Sequence, residues 1–183
     1  MPQTPFTASR ALDELTLLSR RRLFLAGGAA CVCSAGLAAA RTLPMAVSLS
    51  VELSQALGKS SPLLVMVSLE GCPFCRIVRE NYLAPMREQQ GLHVVQVDMR
   101  SSRIVKDFNR ASLTQDDLIR RWAINIAPTV LFFGSGGAEI AERLVGGYTP
   151  DFYGAYLDDR LRLAHAAILK PTSSIVLPGL LRG

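Results

Sequence analysis

The feature that most constrains this chain is a pair of cysteines, Cys72 and Cys75, which directly follows the apolar run from Leu63 to Leu69. The run is apolar at nearly every position, which predicts a central strand buried on both faces. A strand that opens into a helix at Cys-x-x-Cys is typical of a dithiol redox centre. Pro73 suits the first turn of that helix, because a missing N–H costs nothing there.

The two thiols are expected to have different roles. Cys72 lies at the helix cap, where free amides and the positive end of the helix dipole stabilise a thiolate, so we expect it to be the nucleophile. Cys75 lies one turn further along and is expected to resolve a mixed disulfide formed on Cys72. A zinc knuckle would need two more ligands. Because His93 and His165 are the only histidines and do not form a pair, we predict no metal and no other cofactor.

Residues 1–46 are predicted to be an export signal that resembles a twin-arginine leader. Arg21 and Arg22 precede Leu-Phe-Leu and a small, apolar, uncharged stretch over residues 26–40. An ordinary secretory signal fits the same residues. An uncleaved membrane anchor fits them as well, because the apolar stretch from residue 23 to residue 40 is near the lower length limit for spanning a bilayer.

Two small-x-small sequences, ending at Ala40 and at Ala46, are candidate cleavage sites. Either cut removes Cys31 and Cys33 and leaves the Cys-x-x-Cys pair as the remaining thiols. We therefore predict a periplasmic protein in which the pair serves chemistry and no structural disulfide forms.

Charge and length limit the possible partners and the number of domains of the chain after residue 46. The net charge is +5, of which +3 comes from residues 1–46. No basic patch with interleaved aromatic residues is present, which argues against a nucleic-acid partner. Residues 47–167 are long enough for one domain and too short for two. Residues 168–183 form a tail to which we assign no role.

Hydrophobic periodicity predicts the element order α, β, α, β, α, β, β, α, and therefore an α/β fold. The helix after Cys72 is expected to reach about Tyr82, with Pro85 marking its end or a kink. Arg100 to Gln115 is expected to be a polar insertion. In the last helix, four residues at helical spacing are expected to pack on the sheet: Phe152, Tyr153, Tyr156 and Leu157.

The chain resembles the thioredoxin superfamily, and more closely its exported, bacterial thioredoxin-like branch, over about residues 50–167. Cys72-Pro73-Phe74-Cys75 is similar to the redox tetrapeptide of that family, and Ala127-Pro128-Thr129 is similar to its cis-proline loop. The resemblance implies a central mixed sheet of four to five strands flanked by helices. It also implies that substrate binds around Cys72, on Pro73, Phe74, Ala127 and Pro128.

One departure from the family pattern concerns acid-base chemistry. Met66 stands where cytosolic thioredoxins carry a buried aspartate, and Glu70 is a conceivable substitute that fits a solvated position at a strand end better.

The resemblance implies a periplasmic thiol:disulfide oxidoreductase whose substrates are protein thiols and disulfides. A membrane redox partner is expected, and the protein itself is anchored only if the leader stays uncleaved. Two alternatives are a narrow-client reductase for cytochrome maturation or sulfur oxidation, and a copper-handling protein that uses the two thiols as soft ligands.

Overall fold

The structure, a computed structural model, describes residues 41–147 and 150–170. The predicted export signal up to residue 40 and the tail from residue 171 lie outside the described residues. The elements, in chain order, are α1 (Leu49–Leu57), β1 (Leu63–Ser68), α2 (Pro73–Val78), a π-helical turn (Arg79–Leu83), α3 (Ala84–Gln90), β2 (His93–Asp98), β3 (Ile104–Lys106), β4 (Ser112–Thr114), α4 (Gln115–Arg121), β5 (Thr129–Phe133), a 3₁₀ turn (Ser135–Gly137), β6 (Glu139–Val145) and α5 (Pro150–Leu169).

A mixed four-stranded sheet, in the order β2-β1-β5-β6, forms the centre of the domain. β1 pairs in parallel with β2, so that Ser68 lies opposite Asp98, and it pairs antiparallel with β5. All six residues of β1 are buried, as the apolar run predicts. The predicted α/β fold with four to five strands is confirmed.

Alternation along β1 divides the core into two faces. Val65 and Val67 belong to the cluster that α1 and α4 cover. Leu64 and Met66 point to the opposite face, where they share a cluster with Cys75 and with residues of α5. The cysteine pair therefore packs against an apolar layer formed by this face of the sheet and α5.

The helix that starts at Pro73 continues well beyond Tyr82, so the predicted end near that residue is wrong. Residues Arg79–Leu83 form a π-helical turn, in which the Ala84 N–H donates to the Arg79 carbonyl. This wider turn shifts the hydrogen-bond register just before Pro85, which has no N–H to donate. The helical backbone then runs on to Gln90.

The stretch from Arg100 to Gln115 is more ordered than a polar insertion. Strands β3 and β4 pair antiparallel within it, and they bury Val105 and Leu113 against the first core cluster. Thr114 caps α4, because its hydroxyl oxygen accepts from the Asp117 N–H at 3.0 Å. The hairpin is therefore part of the domain's core.

The prediction for the last helix is half wrong. Tyr153 and Leu157 are buried against the sheet, but Phe152 and Tyr156 are more than half exposed. The two pairs form neighbouring stripes on one helix, and the sheet covers only one of them.

The described chain begins with an ordered segment next to β2. Leu43 and Ala46 are buried. The Ala46 N–H donates to the Gln96 carbonyl and the Gln96 N–H donates to the Pro44 carbonyl, both at 2.9 Å. The folded domain therefore includes residues 43–46, which precede the predicted start at Val47. Within the described part of the chain, no helix combines the length and the apolar character needed to cross a bilayer.

Candidate active site

A tight turn at the end of β1 places Cys72 at the start of α2. Gly71 adopts a left-handed backbone with φ of 73°, and the Cys72 N–H donates to the Leu69 carbonyl at 3.2 Å. Glycine adopts this conformation without the steric cost that a side chain would add. Cys72 then caps α2, because its Sγ accepts from the Cys75 N–H at 3.1 Å. This amide contact stabilises negative charge on the Cys72 sulfur.

Cys75 lies beneath Cys72 and is 1% exposed. Burial, helped by a hydrogen bond to Cys72, raises the pKa of its thiol to about 11, although bonds to the Leu69 backbone and the Ser68 side chain act in the lowering direction. Cys75 is therefore a protonated thiol at neutral pH. Cys72 is partly exposed, so the two sulfurs differ in their access to a substrate.

The loop before β5 faces the Cys72 sulfur. The Ala127–Pro128 bond is cis, as the resemblance implies. The Cys72 thiol points to the Ala127 carbonyl at 4.0 Å. Two bonds hold the loop: the Thr129 hydroxyl donates to the Ile126 carbonyl, and the Gly146 N–H donates to the Pro128 carbonyl, both at 2.8 Å.

Gly147 lies between this loop and the helix that carries the cysteines. A Cβ at this position would lie 3.2 Å from Pro128 Cγ, 3.3 Å from Val78 Cγ2 and 3.5 Å from Phe74 Cβ. The absence of a side chain therefore lets the proline loop and α2 approach each other. The structure thus brings together the predicted site residues around Cys72: Pro73, Phe74, Cys75, Ala127 and Pro128.

The position of the missing aspartate is apolar in the structure as well. Met66 is fully buried beside Cys75, whereas Glu70 is exposed to solvent and does not replace the missing acid.

Polar residues that the sequence reasoning missed occupy the neighbouring positions on this face. Gln96 Nε2 donates to Asp98 Oδ1 at 2.7 Å, and Arg79 Nη1 donates to Gln96 Oε1 at 3.2 Å. Ser68, which bonds to Cys75, lies opposite Asp98 in the sheet. The polar residues at alternate positions of the otherwise apolar strand β2 are the signal that would have indicated this network.

A cleft of about 1220 Å³ opens next to Cys72. It lies between the turn at residues 69–71, the start of α2 and the chain that follows β2. The sequence predicts only a polar insertion over residues 100–115 and does not indicate the cleft.

No metal centre is built from the described residues: within 41–147 and 150–170, no three His, Cys, Asp or Glu side chains lie close enough to share an ion. His93 pairs with Leu63, at the end of the sheet opposite to the cysteines, and its Nε2 lies 2.9 Å from Glu52 Oε2. The structure therefore offers no histidine from β2 as a copper ligand beside Cys72.

Comparison with known proteins identifies the family. A family model of the thioredoxin-like domain matches residues 49–161. The chain belongs to the thioredoxin-like family. This confirms the predicted family and places the protein among thioredoxin-like oxidoreductases. No curated protein matches the chain significantly.

Several solved structures are similar to this thioredoxin-like protein at low identity. Thioredoxin f2 from Chlamydomonas reinhardtii is 12% identical, with a TM-score of 0.42 over 63% of this chain and 96% of that one. A poplar thioredoxin h is 18% identical, with a TM-score of 0.42 over 62% and 95%. The DsbH oxidoreductase is 16% identical, with a TM-score of 0.46 over 68% and 88%.

Proposed function

We propose that the protein is a periplasmic thiol:disulfide oxidoreductase that acts through Cys72 and Cys75. The observation that carries this proposal is the position of the Cys72 sulfur, which is partly exposed and lies between the Cys75 N–H and the Ala127 carbonyl. The buried Cys75 thiol lies one turn further along the helix. Export is supported by the leader-like sequence over residues 1–46.

The exchange reaction uses both sulfurs in sequence. The Cys72 thiolate attacks one sulfur of a client disulfide, so that a Cys72–client bond forms and the other client sulfur leaves as a thiolate. Cys75 then loses its proton to water and attacks the Cys72 sulfur. This step forms the Cys72–Cys75 disulfide and releases the second client thiolate. The client gains two electrons, the protein loses two, and a dithiol donor from the membrane restores the reduced pair.

The loop before β5 offers a place for the client backbone. Within the described chain, the Ala127 N–H has no hydrogen-bond acceptor, and this amide lies next to the carbonyl that faces Cys72. An extended client segment binds such an open peptide edge in the manner of an added strand. Phe74, Ile126 and Val145 are each nearly half exposed and supply apolar contact area around it.

The test compares three proteins in the reduction of insulin by dithiothreitol: the native sequence, Cys72→Ser and Cys75→Ser. Cys72→Ser is expected to lose the catalysed rate, because no nucleophile remains. Cys75→Ser is expected to accumulate a mixed disulfide on Cys72 that mass spectrometry detects. Reduction of insulin by Cys72→Ser at the native rate would refute the proposal.

Localisation and direction are tested in cells. We expect the mature chain in the periplasmic fraction, with the pair largely reduced when trapped by alkylation, because a membrane donor supplies electrons. A pair trapped mainly as the disulfide would instead assign an oxidase role to the same chemistry.

A further inference from the structure

The cleft next to Cys72 is built from segments that meet at one end of the sheet. Its lining comes from the carboxyl ends of β1 and β2, the turn at residues 69–71, the helix that starts at Pro73, and residues 99–103. The carboxyl ends of neighbouring parallel strands commonly form ligand sites in α/β proteins. Because Cys72 itself lines the cleft, a group bound there lies beside the reacting sulfur.

The cleft has an excess of positive charge. Its two carboxylates are those of Glu70 and Asp98, and Asp98 already accepts a hydrogen bond from Gln96. Within residues 41–147 and 150–170, none of its arginines lies within ion-pair distance of a carboxylate. The lining contains four of them: Arg76, Arg79, Arg100 and Arg103.

Arginines elsewhere on the domain contrast with this group. Arg120 pairs with Asp116, and Arg143 pairs with Glu139 on the same strand. Arg160 forms bonds to carboxylates on two different elements. Of the six arginines without an ion pair in the described residues, four thus line the cleft that contains the reactive sulfur, and Arg87 and Arg110 lie outside it.

We propose that this cleft binds the anionic groups of the substrate, so that the protein prefers disulfides flanked by carboxylates. The inference rests on the proposed exchange reaction at Cys72 and specifies its substrate class. Guanidinium groups bind carboxylates through paired, charge-assisted hydrogen bonds. A positively charged cleft also raises the local concentration of anionic substrates and their association rate.

The test uses three small disulfides that differ mainly in the charge of their ends. Dithiodipropionate carries two carboxylates, hydroxyethyl disulfide is uncharged, and cystamine carries two ammonium groups. For each one, kcat/KM is measured with dithiothreitol as the reductant and is divided by the rate of the uncatalysed reaction with dithiothreitol. This ratio removes the intrinsic reactivity of each disulfide.

The informative variant is the double substitution Arg76→Gln and Arg103→Gln, because both side chains are exposed and neither forms a described side-chain hydrogen bond. Arg87→Gln is the matched control, since Arg87 is an exposed arginine of α3 that does not line the cleft. Thermal unfolding of all three proteins checks that the fold is unchanged.

We expect the native protein to have its highest ratio with dithiodipropionate and its lowest with cystamine. A charge at roughly 6 Å in water changes an equilibrium about threefold, so the double variant should lower the dithiodipropionate ratio about tenfold and raise the cystamine ratio. The uncharged disulfide should change little, and the control variant should match the native protein. Salt at about 1 M should abolish the preference.

Two outcomes would overturn the inference while leaving the proposed function intact. One is equal ratios for the three disulfides in the native protein. The other is a double variant that alters all three ratios by the same factor, which would mean that the arginines act on the cysteines and not on the substrate. Failure of the proposed function has a different signature, because Cys72→Ser would then keep the activity on the uncharged disulfide.

Discussion

Resolution by Cys75 should be limited by pH. Burial raises the pKa of this thiol from an ordinary value of 9.0 to about 11. At pH 7 only about one Cys75 thiol in ten thousand is then ionised, and the thiolate fraction rises tenfold with each pH unit up to the pKa. Because the thiolate is the attacking species, and because burial, the largest cause of the shift, does not depend on a free Cys72 thiol, the rate of resolution should rise about tenfold per unit between pH 7 and pH 9.

Dithiodipyridine separates the two steps of the reaction. It is an uncharged aromatic disulfide at these pH values, and it releases one absorbing thione when Cys72 attacks and a second one when Cys75 resolves the mixed disulfide. Stopped-flow absorbance should therefore show two phases. The variant Cys75→Ser identifies the second phase, because it should retain only the first.

Ser68→Ala changes the second phase by an amount that the structure allows us to estimate. The Ser68 hydroxyl bonds to Cys75 and lowers the pKa of its thiol. A neutral hydrogen bond contributes about 1 kcal/mol net, which is about 0.7 of a pKa unit. Its loss reduces the thiolate about fivefold, but a more basic thiolate is also a better nucleophile. The second phase should therefore slow about two- to threefold, with the first phase unchanged.

Two results would refute this reasoning. A second phase that levels off below pH 9 would show that the Cys75 thiol titrates like an ordinary cysteine. A Ser68→Ala protein whose first phase slows as much as its second would show that the hydroxyl supports the whole site and not the Cys75 thiolate.

Three further predictions concern packing. Gly147→Ala should lower the free energy of unfolding, measured in urea, by about 1 to 3 kcal/mol, because the added methyl lies within 3.3 Å of two side chains. It should also slow the first phase of the dithiodipyridine reaction, in which Cys72 attacks. A native rate and stability would contradict this. Leu157→Ala should lower the free energy of unfolding by about 2 to 5 kcal/mol, whereas Tyr156→Ala, on the exposed side of the helix, should change it by no more than about 0.5 kcal/mol. Equal losses of stability would refute the assignment of the buried helix face. Leu43→Ala should also cost about 2 kcal/mol or more, and a chain that starts at Val47 should unfold at lower urea than one that starts at residue 41. Equal midpoints would mean that the segment adds nothing.

The sequence predicts the parts of this molecule that local rules determine. The apolar run of β1, the Cys-x-x-Cys cap and the proline loop each combine a period with one or two residues whose backbone chemistry is unusual. Their order along the chain then indicates the family, and the structure places Cys72 and Pro128 as that family implies.

The features that the sequence does not predict depend on the register between strands and on which face of each helix the sheet covers. A single sequence determines neither. Ser68 and Asp98 become neighbours only through the parallel pairing of β1 and β2. The helix continues beyond Tyr82 because a π-helical turn, with its i to i+5 hydrogen bond, accommodates Pro85. No sequence pattern predicts such a turn. On α5, Phe152 and Tyr153 are equally good core candidates by period, and only the position of the sheet decides between them.

The bonds between Gln96 and residues 44 and 46 have a consequence for solubility. They close part of the outer edge of β2, and an uncovered edge strand is a template on which other chains add strands and aggregate. A signal peptidase that cut after Ala46 would remove this cover and leave the Gln96 peptide groups open. If the predicted export signal is cleaved, a cut after Ala40 keeps this cover on β2, whereas a cut after Ala46 leaves the strand open to pairing with other chains.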